Sequence, residues 1–191
     1  LDNPIDRLVT PPTAKTREME FLTNDEREQL LALNDTWTPL FTVLSITGIR
    51  LGEALGLAWS SVKNLDDPEK AELVVKRTLG RASLAPAGQQ LQFKEPKTKK
   101  SSRTIPLEQK VVIALKRQEL QAKSNPDDLV FPNERGAKME PGTPYYALKR
   151  ALQRIAASVD VDDEEALQRW EHLAKKLRIH DLRHTAASLM I

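Results

Sequence analysis

Apolar positions along this chain recur mostly at three and four residues, the spacing that keeps side chains on one face of a helix. Thr23 with Glu26 three residues later is a capping box, and it opens a predicted helix to about residue 33, with Leu30, Leu31 and Leu33 as its stripe. Leu40, Val43, Leu44 and Thr47 predict a second helix over 39–47, which Gly48 breaks. Arg50 opens a short third helix in which Leu51, Leu55 and Leu57 pack while Arg50 and Glu53 share the other side. Val112, Leu115 and Leu120 predict a helix over 111–122, and Pro126 stops any continuation. Two more follow: 144–158 on Leu148, Leu152 and Ile155, and 164–177 on Leu167, Trp170, Leu173 and Leu177, with Asp162 or Asp163 near its start.

Between the third and fourth helices the period changes to two. Residues 73–78, 90–94 and 103–107 read as short strands, and Leu91 and Phe93 alternate with Gln90, Gln92 and Lys94 as in a sheet with one buried face. Pro106 suits a strand end or an edge. The fold class expected is mainly α with a small three-stranded antiparallel sheet. Residues 1–20 carry Pro4, Pro11 and Pro12 without an apolar period and read as an extended connector, which leaves 21–191 as the folded domain.

Composition narrows the class only a little. At 191 residues with 40% apolar content, the chain can bury one well-cored domain, and no apolar run approaches the roughly 20 residues of a membrane span. No signal peptide is visible at Leu1-Asp2-Asn3-Pro4. Cysteine is absent, which excludes disulfides and thiolate zinc sites and fits a reducing, cytoplasmic setting.

A net charge of +2 does not by itself point to nucleic acid, so the placement of charge has to carry that argument. Lys94, Lys97, Lys99, Lys100 and Arg103 cluster against the single Glu95, whereas 160–165 is acidic. Such a run is either a solvated face or a phosphate-binding surface. More specific chemistry lies in His180-Asp181-Leu182-Arg183-His184-Thr185, where a helix would place His180 and Arg183 on one side. An upstream arginine, Arg50 in Thr47-Gly48-Ile49-Arg50-Leu51-Gly52-Glu53, is a candidate for the same point. Two guanidinium forks suit the non-bridging oxygens of one phosphate, which lysine cannot match. Taken alone, Arg50 and Glu53 are equally a surface ion pair at i,i+3. His180, His184 and His172 are the only histidines, yet no zinc site is expected: cysteine and an HExxH glutamate are absent and Arg183 opposes a cation.

In this order, the Phe21-Leu22-Thr23 start, the TGIRLGEALGL block, the hairpin Pro96-Lys97-Thr98-Lys99-Lys100-Ser101-Ser102-Arg103-Thr104-Ile105-Pro106-Leu107, Leu129-Val130-Phe131-Pro132 and HDLRHT resemble the tyrosine recombinase (integrase) family over most of the chain. The resemblance implies a recombinase catalytic-domain fold and DNA cleavage through a 3′-phosphotyrosyl intermediate, with no cofactor. It implies Arg50 and Arg183 as phosphate holders, His180 as proton-transfer aid, and Lys97, or else Lys99, as general acid. Glu53 and His184 would support the site, and Lys94, Lys100 and Arg103 would contact DNA. Double-stranded DNA and other integrase protomers in a tetrameric synapse are the implied partners. One departure stands out: no tyrosine follows HDLRHT within these residues, and the only two, Tyr145 and Tyr146, precede it in a helix-like context. The nucleophile is therefore expected to lie outside this chain, read as a C-terminally incomplete catalytic domain that cannot cleave alone. A DNA-binding module of the same fold without chemistry is the alternative, and a relaxing topoisomerase a more distant one. The stretch 160–176 is longer than the family leads one to expect and reads as an insertion.

Overall fold

The computed structural model describes residues 19–82, 90–95, 102–122 and 124–189. Helix α1 spans Asn24–Ala32. Its capping box is formed: Thr23 Oγ1 accepts from the Glu26 amide at 3.2 Å and Glu26 Oε2 from the Thr23 amide at 2.7 Å. Helix α2, Thr38–Thr47, is buried at every position from Thr38 to Ile46. A helix apolar on all sides belongs at the centre of a domain, and α2 is packed by α1, α4 and α7. Gly48 ends it with φ 63°, a left-handed conformation that glycine adopts without strain. Helix α3, Leu51–Leu55, follows at once.

The described strands form two sheets rather than one. β1 (Val62–Lys63), β2 (Glu72–Val75) and β5 (Arg103–Pro106) make one antiparallel sheet in the order β1-β2-β5, with Leu73 opposite Ile105 and Val75 opposite Arg103. β3 (Thr78–Arg81) pairs with β4 (Leu91–Lys94) as a separate ribbon, Leu79 opposite Phe93. The strand predicted over 73–78 is thus divided at Lys76-Arg77. The cause lies across the chain: Arg77 turns inward, donating from Nε to the Gly56 carbonyl at 2.7 Å and from Nη2 to the Asp127 carbonyl at 2.9 Å, with Phe93 stacked 4.0 Å beneath its guanidinium. The ribbon so released lies on α3, where a Cβ on Gly52 would stand 2.6 Å from the Leu79 carbonyl oxygen and from Thr78 Oγ1.

Helix α4 (Gln109–Gln121) buries Val111, Val112, Ala114 and Leu115. Leu120, expected on that stripe, is 89% exposed, because five residues beyond Leu115 it lies about 140° around the helix. Helix α5 (Gly142–Ala156) packs on α1 and on α6 (Glu164–Lys176), and α7 is Asp181–Leu189. The stretch read as an insertion is built into the core. Trp170 and Leu173 of α6 are buried, each contributing about 1.5–3 kcal/mol by removal from water. Arg169 grips the start of the domain, with Nε on Glu26 Oε1 at 2.7 Å and Nη2 on the Phe21 carbonyl at 3.0 Å. Among the described residues, no helix is long and apolar enough to cross a membrane.

Candidate phosphate-binding site

Helix α7 presents the HDLRHT residues by a division of faces. Leu182, Thr185 and Ala186 are buried against the core, and this turns Arg183 and His184 to its partly open side. Two hydrogen bonds at Thr185 fix the helix: its Oγ1 accepts from the Leu22 amide at 3.0 Å and donates to the Asp181 carbonyl at 3.2 Å. Asp181 closes the preceding turn, its Oδ2 accepting from the Arg178 amide at 2.8 Å. His180 stands exposed just before the helix and meets His184 edge-on, with ring centroids 5.3 Å apart. Among the described residues there is no group of three or more His, Cys, Asp or Glu side chains placed to share a metal ion.

Arg183 reaches across to the end of α2. Its Nη1 donates to the Gly48 carbonyl at 2.5 Å, two residues before Arg50. Gly48 lies against α7 at this point: a Cβ built on it would make ordinary contact with Ala186 Cβ at 3.4 Å, and what calls for glycine here is its left-handed backbone. Arg50 itself precedes α3 in extended backbone, and its side chain is 62% exposed.

Glu53 ties this turn to the sheet. Its carboxylate is 9% exposed and receives four donors. Arg103 from β5 gives Nη1 to Oε1 at 3.1 Å and Nη2 to Oε2 at 2.8 Å; Arg50 gives its amide to Oε2 at 2.8 Å and Nη1 to Oε1 at 3.2 Å. Burial pushes this carboxyl up, but the Arg103 fork and the Arg50 amide outweigh it and hold it below the ordinary glutamate value. The i,i+3 pair is therefore present as one part of a three-residue network.

The remaining expected residues divide into two groups. Lys94 is exposed on β4, opposite Thr78, and its Nζ donates to the Arg81 carbonyl at 3.3 Å. Arg103, grouped by sequence with the DNA contacts, has its guanidinium committed to Glu53 and is 34% exposed. Lys97, Lys99 and Lys100 lie outside the described residues. Sequence reasoning missed the Arg103–Glu53 fork, which spans 50 positions and leaves no local signal, and the tether from Thr185 to Leu22, which spans 163. It also missed the inward role of Arg77.

A helical domain with small antiparallel ribbons, in which Arg183 of a late helix is hydrogen-bonded to the glycine that ends a central helix, has the architecture of tyrosine recombinase catalytic domains. The phage integrase family profile matches residues 20–191, and the chain belongs to this family. Similar solved structures include the Tn1549 transposon integrase in complex with circular intermediate DNA (20% identity, TM-score 0.73, 92% of this chain and 54% of that one). XerA recombinase (22%, 0.58, 95% and 52%) and a lambda integrase tetramer bound to a Holliday junction (16%, 0.55, 92% and 44%) share the fold as well. This chain spans about half the length of these proteins. No curated protein sequence matches it.

Proposed function

We propose that this chain is the catalytic portion of a site-specific DNA recombinase of the mobile-element integrase type, acting on double-stranded DNA as one of several protomers in a synapse. The observation that carries the reading is the Arg183–Gly48 hydrogen bond, which anchors the HDLRHT helix two residues from Arg50. In the proposed reaction Arg50 and Arg183 bind the non-bridging oxygens of the scissile phosphate and stabilise charge as the pentavalent transition state forms. A tyrosine oxygen attacks the phosphorus, the P–O5′ bond breaks, and the 3′ end remains on the tyrosine. Lys97, or in its place Lys99, donates the proton that the 5′-oxygen takes on leaving; His180 assists proton transfer, with His184 packed beside it. The phosphodiester energy is kept in the phosphotyrosyl link, so rejoining needs no cofactor.

The attacking hydroxyl belongs to neither tyrosine of these residues. Tyr145 and Tyr146 sit in the first turns of α5, a helix that packs on α1 and α6, and their rings meet edge-on at 5.3 Å. Tyr146 is 63% exposed and Tyr145 half-buried, as expected of rim aromatics.

Binding of generic duplex DNA tests the phosphate site directly. Affinity is expected to fall steeply as salt rises from about 50 to 200 mM, and Arg50→Ala and Arg183→Ala are each expected to reduce the slope of log K against log salt by about one. Affinity indifferent to salt, or slopes unchanged in both variants, would overturn the reading.

A further inference from the structure

We infer that Arg103 is a positioning residue whose task is to occupy Glu53, so that Arg50 stays free to bind phosphate instead of closing onto its own neighbour. The inference rests on the proposed phosphate site and assigns Arg103 a role inside the protein where the sequence suggested a DNA contact.

Glu53 is needed structurally at the start of α3. Its Oε2 accepts the Arg50 amide at 2.8 Å, one of the donors a helix start leaves without an intrahelical partner. A buried carboxylate there has a cost for function, since it stands one helical turn from the guanidinium meant for DNA. With 9% exposure it has little water to satisfy it, and it takes up whatever cations are in reach. Two arginines are in reach, and they hold it differently. Arg103 binds with both prongs at 3.1 and 2.8 Å, whereas Arg50 offers one nitrogen at 3.2 Å. Arg103 is the more enclosed of the two, at 34% against 62% exposed. Its backbone is fixed by pairing with Val75 in the sheet. The fork of Arg103 therefore fills the carboxylate and cancels its charge, and Arg50 keeps only the longer, single bond.

Without the Arg103 charge, Glu53 would retain a lone pair on each oxygen and a full negative charge in a poorly solvated place. Arg50 is the remaining cation on the spot and would turn its own fork onto it. The loss would then appear at Arg50, on a different element from the substitution. A purely structural salt bridge would not have this consequence, and a direct phosphate contact by Arg103 would have a different one.

The test uses the 191-residue chain in four forms: unaltered, Arg103→Met, Glu53→Gln, and the double variant. The first readout is the labelling rate of Arg50 by phenylglyoxal, followed by peptide mass spectrometry. Arg103→Met is expected to slow labelling of Arg50 severalfold, and adding Glu53→Gln is expected to return it to the rate of Glu53→Gln alone. The second readout is affinity for generic duplex DNA. Arg103→Met is expected to weaken binding by about tenfold, and the double variant to bind within about twofold of Glu53→Gln. If Arg103→Met fails to fold, Arg103→Lys takes its place: a single ammonium cannot fill both carboxylate oxygens, so labelling of Arg50 is expected to slow relative to the unaltered chain, and an unchanged rate overturns the inference. The inference is overturned if Arg50 labels at the same rate with and without Arg103 in the Glu53 background. It is also overturned if the double variant binds DNA far more weakly than Glu53→Gln, which would make Arg103 a phosphate contact. Should no form bind DNA, the proposed function fails, and the labelling rates still judge the role of Arg103.

Discussion

At the scale of the residue, Glu53 shows how a single carboxylate can be both necessary and hazardous. It stays ionised although buried, because Arg103 and the Arg50 amide stabilise the charged form more than burial destabilises it. A carboxyl whose pKa is lowered on folding contributes stability that is complete above the ordinary value and is lost as pH falls through the lowered one. Melting temperatures of the unaltered chain are therefore expected to decline as pH drops below about 4.5. Glu53→Gln is expected to lie lower near neutral pH and to decline less steeply in acid. Glu26 titrates in the same sense: burial pushes it up, and the hydrogen bond and charge of Arg169 together with the hydrogen bonds from Thr23 more than reverse that. A residual acid limb in Glu53→Gln is accordingly expected, and an acid limb wholly unchanged by Glu53→Gln would contradict the network.

At the scale of the element, two contacts decide where the site-bearing pieces lie. Helix α3 rests on β3 only because Gly52 has no Cβ. Gly52→Ala places a methyl against the Leu79 carbonyl, so the ribbon has to shift, and a loss of about 1–3 kcal/mol in urea unfolding is expected. That loss exceeds the roughly 0.5–1 kcal/mol by which alanine normally improves a helix over glycine, so the sign of the measured change is diagnostic. Helix α7 depends on Thr185. Thr185→Val keeps the shape and removes the acceptor of the buried Leu22 amide, and a destabilisation of about 1–3 kcal/mol is expected. Hydrogen exchange at the Leu22 amide in this variant is expected to accelerate toward that of an unprotected site; unchanged exchange would show that the tether is not what holds the chain there.

At the scale of the whole molecule, α2 is the frame. It is buried throughout, and the helices that cover it place its C-terminal glycine beside Arg183. The tyrosines are elsewhere, on a helix packed against α1 and α6. These 191 residues are thus expected to bind duplex DNA without forming a covalent link to it, because charge stabilisation lowers a barrier only when a nucleophile stands in line with the leaving oxygen. Denaturing gels with a randomised library of nicked suicide duplexes check this. A covalent adduct that disappears with Tyr145→Phe or Tyr146→Phe would reassign one of those residues from packing to chemistry.

Much of this was legible along the chain because it depends on neighbours in sequence. The capping box at Thr23 and Glu26, the stop at Gly48, the amphipathic α6 and the pairing of Arg50 with Glu53 all involve residues four or fewer apart, where helix geometry alone dictates who meets whom. Family membership was legible too, since short blocks in a set order identify a fold without any knowledge of contacts. What the tertiary structure decided concerns residues far apart. The division of the strand at Lys76-Arg77 follows from carbonyls at Gly56 and Asp127. The inclusion of α6 in the core follows from the surface that α5 and the domain start offer it. Arg103 reads as one more basic residue of a hairpin until the sheet register places it opposite Val75 and within reach of Glu53. A guanidinium binds whichever carboxylate or phosphate the fold brings near, and only the tertiary placement of β5 beside the start of α3 determined that, here, it is a carboxylate 50 residues away.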